Sequence, residues 1–94
     1  MAHKTPSIQQ SLGLRIKELR AQQTLTQEEL ADRCGMFRTY MSRIESGLAN
    51  PTLTMLHTLA DALEVPIAEL FVAPTSKPVK VRSRQLVSRG RVVR

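Results

Sequence analysis

Gly35 divides the stretch from Thr26 to Gly47 into two short helical segments, and this division constrains the fold more than any other feature. Thr26-Gln27-Glu28-Glu29 has the form of a capping box: the Thr26 hydroxyl accepts from the Glu29 amide, and the Glu29 side chain accepts from the Thr26 amide. The helix it opens is short, because Gly35 follows Cys34 directly and supplies a left-handed C-terminal position. Leu30 and Ala31 are its inward residues. Met36 to Glu45 then resumes helical spacing, with Met36, Met41 and Ile44 on one face. Ser46-Gly47 stops it, and Leu48-Ala49-Asn50-Pro51 reads as a loop.

Helical patterns flank this pair. From Ser7, apolar residues recur at Ile8, Leu12, Ile16 and Leu19 until Gln22-Gln23-Thr24 ends the helix. Thr52 caps a fourth helix with an apolar stripe of Leu53, Leu56, Leu59, Ala60 and Leu63. Pro66 fits the first turn of a fifth, very short helix ending near Phe71. The only aromatic residues are Phe37, Tyr40 and Phe71, so the core must be aliphatic, which suits packed helices. The expectation is one all-α, five-helix domain over residues 8–73, preceded by a loose arm (1–7) and followed by a basic tail (74–94). In that tail Val79 to Arg84 alternates apolar with basic, which suits either a strand completed by a second chain or a disordered segment.

Charge is distributed unevenly. Residues 1–73 carry seven basic and eight acidic side chains, net −1, whereas residues 74–94 carry seven basic and no acidic ones, net +7. The tail therefore asks for a polyanionic partner, nucleic acid foremost, with a solubilising terminus as the plainer alternative. One cysteine, Cys34, and two histidines, His3 and His57, argue against a disulfide framework or a metal site. Cys34 reads as a small, half-buried apolar residue and His57 as a surface one. No run of about 18 apolar residues and no secretory leader occurs, so the chain is expected to be soluble and cytoplasmic, associated with the nucleoid. No nucleophile–base pairing, phosphate loop or metal spacing appears, so no catalytic residue, cofactor or metal is expected.

The helices at 27–34 and 38–45 have the spacing of a helix-turn-helix. With Met36, Met41 and Ile44 turned inward, the second helix presents Phe37, Arg38, Thr39, Ser42 and Arg43. Arginine can bond guanine O6 and N7 together, and hydroxyls can read either groove edge, so this face suits a DNA major groove. An ordinary solvated helix face is the alternative.

Thr26 to Ala31, Gly35, Arg38 to Gly47 and Asn50-Pro51, together with Leu12 to Arg15 and Ala68 to Phe71, resemble the Cro/C1-type (Xre) helix-turn-helix family over about sixty residues. Arg38-Thr39-Tyr40 and the Leu70-Phe71 ending are most similar to restriction–modification controller proteins, phage-type repressors being near relatives. The resemblance implies a lambda-repressor-like five-helix fold and a transcriptional regulator. It places Arg38, Thr39 and Arg43, with Ser42, at base-reading positions. It places Gln27, Ser46 and the loop reaching Asn50 on the DNA backbone, where Phe37 and Tyr40 are also set. It makes Arg20 and Glu45 a structural ion pair between the first helix and the end of the recognition helix.

Two departures from that pattern stand out. Position 37, ordinarily a hydroxyl cap, is Phe, which touches either a thymine methyl or a partner protein if not the backbone. The loop 48–50 has no basic residue, which shifts phosphate neutralisation to the tail, where Lys77, Lys80, Arg82 and Arg84 form a possible DNA arm. A homodimer on a palindromic double-stranded operator is expected, joined through Met55, Leu63, Val65, Phe71 and Val72, with no small-molecule effector and no membrane contact. The competing expectation is a protein-interaction module of antitoxin or coactivator type on the same fold.

Overall fold

The computed structural model describes residues 6–74, so the tail, with Lys77, Lys80, Arg82 and Arg84, lies outside the described residues, as do residues 1–5 of the arm. Four α-helices follow in order: α1 Ile8–Gln22, α2 Gln27–Cys34, α3 Arg38–Glu45 and α4 Leu53–Leu63. The fifth expected helix is a 3-10 helix, Ile67–Phe71. Five residues behind Pro66 make little more than one turn, which the tighter 3-10 geometry accommodates. The described residues contain no strand.

Hydroxyl side chains start three of the four α-helices. Ser7 caps α1, Thr26 caps α2 and Thr52 caps α4, the first two as complete capping boxes with Gln10 and Glu29. Ser7, the last residue of the expected arm, is thus the cap of α1. Each α-helix ends in the same way, with a left-handed residue whose amide, and the next one, bond back to the last turn. After α2 these are Gly35 (φ 69°) and Met36, whose amides reach Asp32 and Ala31. After α3 they are Gly47 (φ 80°) and Leu48, reaching Ile44 and Arg43. After α1 and α4, however, the left-handed position is filled by Thr24 (φ 58°) and Glu64 (φ 60°).

These turns fold the helices around one aliphatic core: Leu12, Ile16, Leu19, Leu30, Ala31, Cys34, Met41, Ile44, Leu56, Leu59, Ala60, Leu63, Val65 and Leu70. α1 packs against α3 and the 3-10 helix, α2 against α3 and α4, and α4 against the 3-10 helix. Several expectations need correction. Ile8 and Leu53, the first residues of α1 and α4, are 69% and 74% exposed and so lie outside the core in which the apolar stripe sets them. Met36 lies outside α3 and is half-buried. Leu63 and Val65 are core residues and leave Met55, Phe71 and Val72 as the accessible part of the expected dimer surface.

Two contacts fix α1 against its neighbours, α3 and the 3-10 helix. Gly13 of α1 lies so close to the end of α3 that a methyl group there would overlap the carbonyl oxygens of Ile44 and Glu45. Arg15, 1% exposed, joins α1 to the 3-10 helix: its Nη2 meets Glu69 Oε1 at 2.7 Å and its Nε donates to the Glu69 carbonyl at 2.8 Å. Its Nη1 reaches Glu18 Oε1 at 3.2 Å, so each nitrogen of the buried guanidinium has an acceptor.

Candidate nucleic-acid interface

The sequence of α3, Arg-Thr-Tyr-Met-Ser-Arg-Ile-Glu, alternates its two faces at helical spacing. Met41, Ile44 and Glu45 are buried, and Tyr40 packs half-buried against the core. Arg38, Thr39 and Arg43 are exposed and Ser42 is half-exposed, so the four expected base-reading residues share the solvent face of one helix. Phe37, immediately before them, is 83% exposed. Tyr40, expected on the DNA backbone, is half-exposed, with its ring packed in part against the core.

Arg20 and Glu45 meet in a two-pronged pair. Arg20 Nε reaches Glu45 Oε2 at 2.6 Å and Nη2 reaches Oε1 at 2.9 Å, with 15% and 3% of the side chains exposed. Parallel bonds of this kind fix angle as well as distance. The remaining Arg20 nitrogen, Nη1, donates to the Leu25 carbonyl at 2.8 Å, so the same guanidinium also fixes the turn into α2. Gln27, the first residue of α2, donates from Nε2 to Glu45 Oε1 at 3.0 Å. One carboxylate at the end of α3 therefore ties together α1, the turn before α2, and the expected phosphate-binding glutamine. The second Nε2 proton of Gln27 remains available for an oxygen acceptor.

The remaining residues border α3. Arg43 Nη2 donates to the Leu48 carbonyl at 3.0 Å, bracing the loop that leads to the exposed Asn50. Ser46 is exposed and its hydroxyl donates to the Ser42 carbonyl at 2.8 Å, so a bond from it to phosphate requires the hydroxyl to rotate. Sequence reasoning missed Arg15 and Gly13, although both sit on the inward side of α1. The signal was available: position 15 lies three residues after Leu12 and four before Leu19, on the apolar stripe itself.

An eight-residue helix with a buried inner face and a polar, cationic outer face, set against a second short helix across a left-handed glycine, is the arrangement of a helix-turn-helix domain. Residues 16–70 match the helix-turn-helix family, and the chain belongs to it, in its Xre or Cro/C1 branch, whose members are DNA-binding transcriptional regulators. The HTH-type transcriptional regulator y4dJ of Sinorhizobium fredii is 42% identical over 66 residues, covering 70% of this chain and 84% of the relative. The restriction–modification controller protein C.AhdI of Aeromonas hydrophila is 38% identical, with a TM-score of 0.66 over 67% of this chain and 96% of the other. The controller protein C.Esp1396I, solved as a tetramer on its natural 35-base-pair operator, is 31% identical, with a TM-score of 0.64 over 71% of this chain and 88% of that one.

Proposed function

We propose that this chain is a sequence-specific, non-enzymatic DNA-binding regulator that acts in the cytoplasm as a homodimer on a palindromic operator. The observation that carries this reading is the outer face of α3, where Arg38, Thr39, Ser42 and Arg43 stand together in solvent while Glu45 and the core hold the opposite face. In the docked complex Arg38, Thr39 and Arg43 read base edges, Ser42 sits beside them, and Gln27, Ser46 and Asn50 meet phosphates. Residues 8–73 form the reading domain, and the basic tail adds backbone affinity. The tetramer that C.Esp1396I forms on its operator supports paired sites, as does the small span of a single helix, which reaches only a few base pairs.

Selection of bound duplexes from a random library, at physiological salt, tests the reading. The expected product is a palindrome with half-sites about 34 Å apart, one helical turn. Arg38→Ala and Arg43→Ala should each lower affinity by about 1–3 kcal/mol and relax preference at one base pair per half-site. Folded variants that keep both affinity and preference would overturn it.

A further inference from the structure

Ser7, Thr26 and Thr52 each accept a bond from the first turn of the helix they open. Among the described α-helices, α3 alone begins with a residue whose side chain makes no capping bond, Phe37. Its backbone does the ordinary work of a cap, since its carbonyl accepts from the amides of Tyr40 and Met41 at 3.0 and 3.2 Å. Its ring does nothing for folding: it is 83% exposed and lies outside the core cluster. Phenylalanine here gives up a capping bond and leaves a phenyl ring in water, both of which oppose folding. The helix that presents Arg38, Thr39 and Arg43 to solvent is thus the one that sacrifices its cap.

We propose that Phe37 is a specificity-determining residue that reads the 5-methyl group of a thymine, beside the base pair contacted by Arg38. This rests on the reading of α3 as the recognition helix. Phe37 stands at the N-terminal end of α3, the end that approaches base edges when such a helix is docked. The thymine methyl is the apolar group displayed on the major-groove floor, and an aromatic ring is a fitting partner for it. Phosphate is a poor partner, because a phenyl ring has no donor and would strip water from a charged oxygen. A protein partner is disfavoured by the surroundings, since the exposed side chains of α3 next to Phe37 are Arg38, Thr39 and Arg43, and the exposed Leu48 follows the opposite, C-terminal end of the helix. The backbone placement of Phe37 expected from the sequence gives way here to a base contact.

Deoxyuridine differs from thymidine only by that methyl, which makes the test direct. In the selected operator each thymine is replaced singly by uracil, and dissociation constants are measured by fluorescence anisotropy for the native chain, Phe37→Ser and Phe37→Ala. One thymine per half-site should respond in the native chain, with a loss of about fourfold for a single methyl and about sixteenfold when both half-sites are changed. At that position both variants should bind thymine and uracil alike while keeping the base preference set by Arg38. With cytosine there instead, 5-methylcytosine should bind the native chain more tightly than cytosine. If no thymine responds, or if the response persists in Phe37→Ser, the ring meets backbone or a partner protein and the proposal is overturned. A melting temperature of Phe37→Ser well below the native value would show the ring to be packed, with the same consequence. A chain that selects no sequence at all overturns the recognition-helix reading as well, whereas a selected operator with indifferent thymines overturns Phe37 alone.

Discussion

At the scale of single residues, Thr24 is the β-branched one of the two left-handed non-glycine residues among the described residues. It closes α1 at φ 58°, where a β-branched side chain crowds its own backbone, and its hydroxyl donates to the neighbouring Gln23 carbonyl. Replacement by glycine should stabilise the domain by about 1 kcal/mol and raise the melting temperature by about 4–8 °C; an unchanged or lower melt would show that the hydroxyl bond outweighs the strain. Cys34 behaves oppositely, as a group at ease in its place. Burial pushes its thiol above the ordinary cysteine value, so the folded chain keeps the proton to higher pH than the unfolded one. That preference is fully present below the ordinary thiol range and is lost as pH rises through the raised value. Urea midpoints should therefore fall more steeply above about pH 9 for the native chain than for Cys34→Ala, and iodoacetamide should label the folded thiol far more slowly than the unfolded one. Residues of this kind differ in how visible they are in a sequence. Arg20 and Glu45 stand out because a family pattern names them, while Arg15 hides because a charged residue is read as surface even when its spacing sets it among Leu12, Ile16 and Leu19. What buries it is Glu69, 54 positions away, and no local pattern carries that information.

At the scale of elements, helix starts and stops were the most legible features. Thr26 with Glu29, Thr52, Gly35 and Gly47 each perform the local task their chemistry dictates, within the helix they bound. Lateral packing was less legible. The periodic stripe counts Ile8 and Leu53 with the core, yet a stripe says nothing of where the neighbouring elements end, and both side chains are left largely in solvent. Gly13 is the reverse case, a helix-weakening residue whose purpose appears only when α3 is set against it. Because backbone carbonyls of Ile44 and Glu45 face it, the space cannot be recovered by turning a side chain. Gly13→Ala should gain about 1 kcal/mol of helix propensity and lose more to overpacking, for a net destabilisation of about 1–2 kcal/mol in urea titrations. It should also weaken operator binding, because α1 would push on the end of α3 where Glu45 holds Gln27. A variant as stable as the native chain would mean that α1 can slide without cost.

At the scale of the whole molecule, charge separates reading from holding. Residues 1–73 are net −1, and Arg15 and Arg20 are spent inside the domain on Glu69, Glu18 and Glu45. The reading face offers Arg38 and Arg43, and the loop at Leu48 to Asn50 adds no cation. So few cations give little phosphate neutralisation, and affinity from counterion release must be supplied elsewhere. The seven basic side chains of residues 74–94, unopposed by any acid, are the reserve from which it can come. Base contacts and phosphate contacts can then be separated experimentally, because only the latter depend steeply on salt. In the full-length chain, replacing Lys77, Lys80, Arg82 and Arg84 together by glutamine should weaken binding to operator and to random duplex by the same factor. If each of the four meets a phosphate, the slope of log affinity against log salt should shrink by about 3 to 4 per protomer, while the ratio of specific to non-specific affinity stays constant. Arg38→Ala should do the reverse, lowering that ratio with a smaller effect on the slope. An unchanged slope in the quadruple variant would assign the holding of DNA to the domain itself, and would leave the basic residues of the tail to another polyanion.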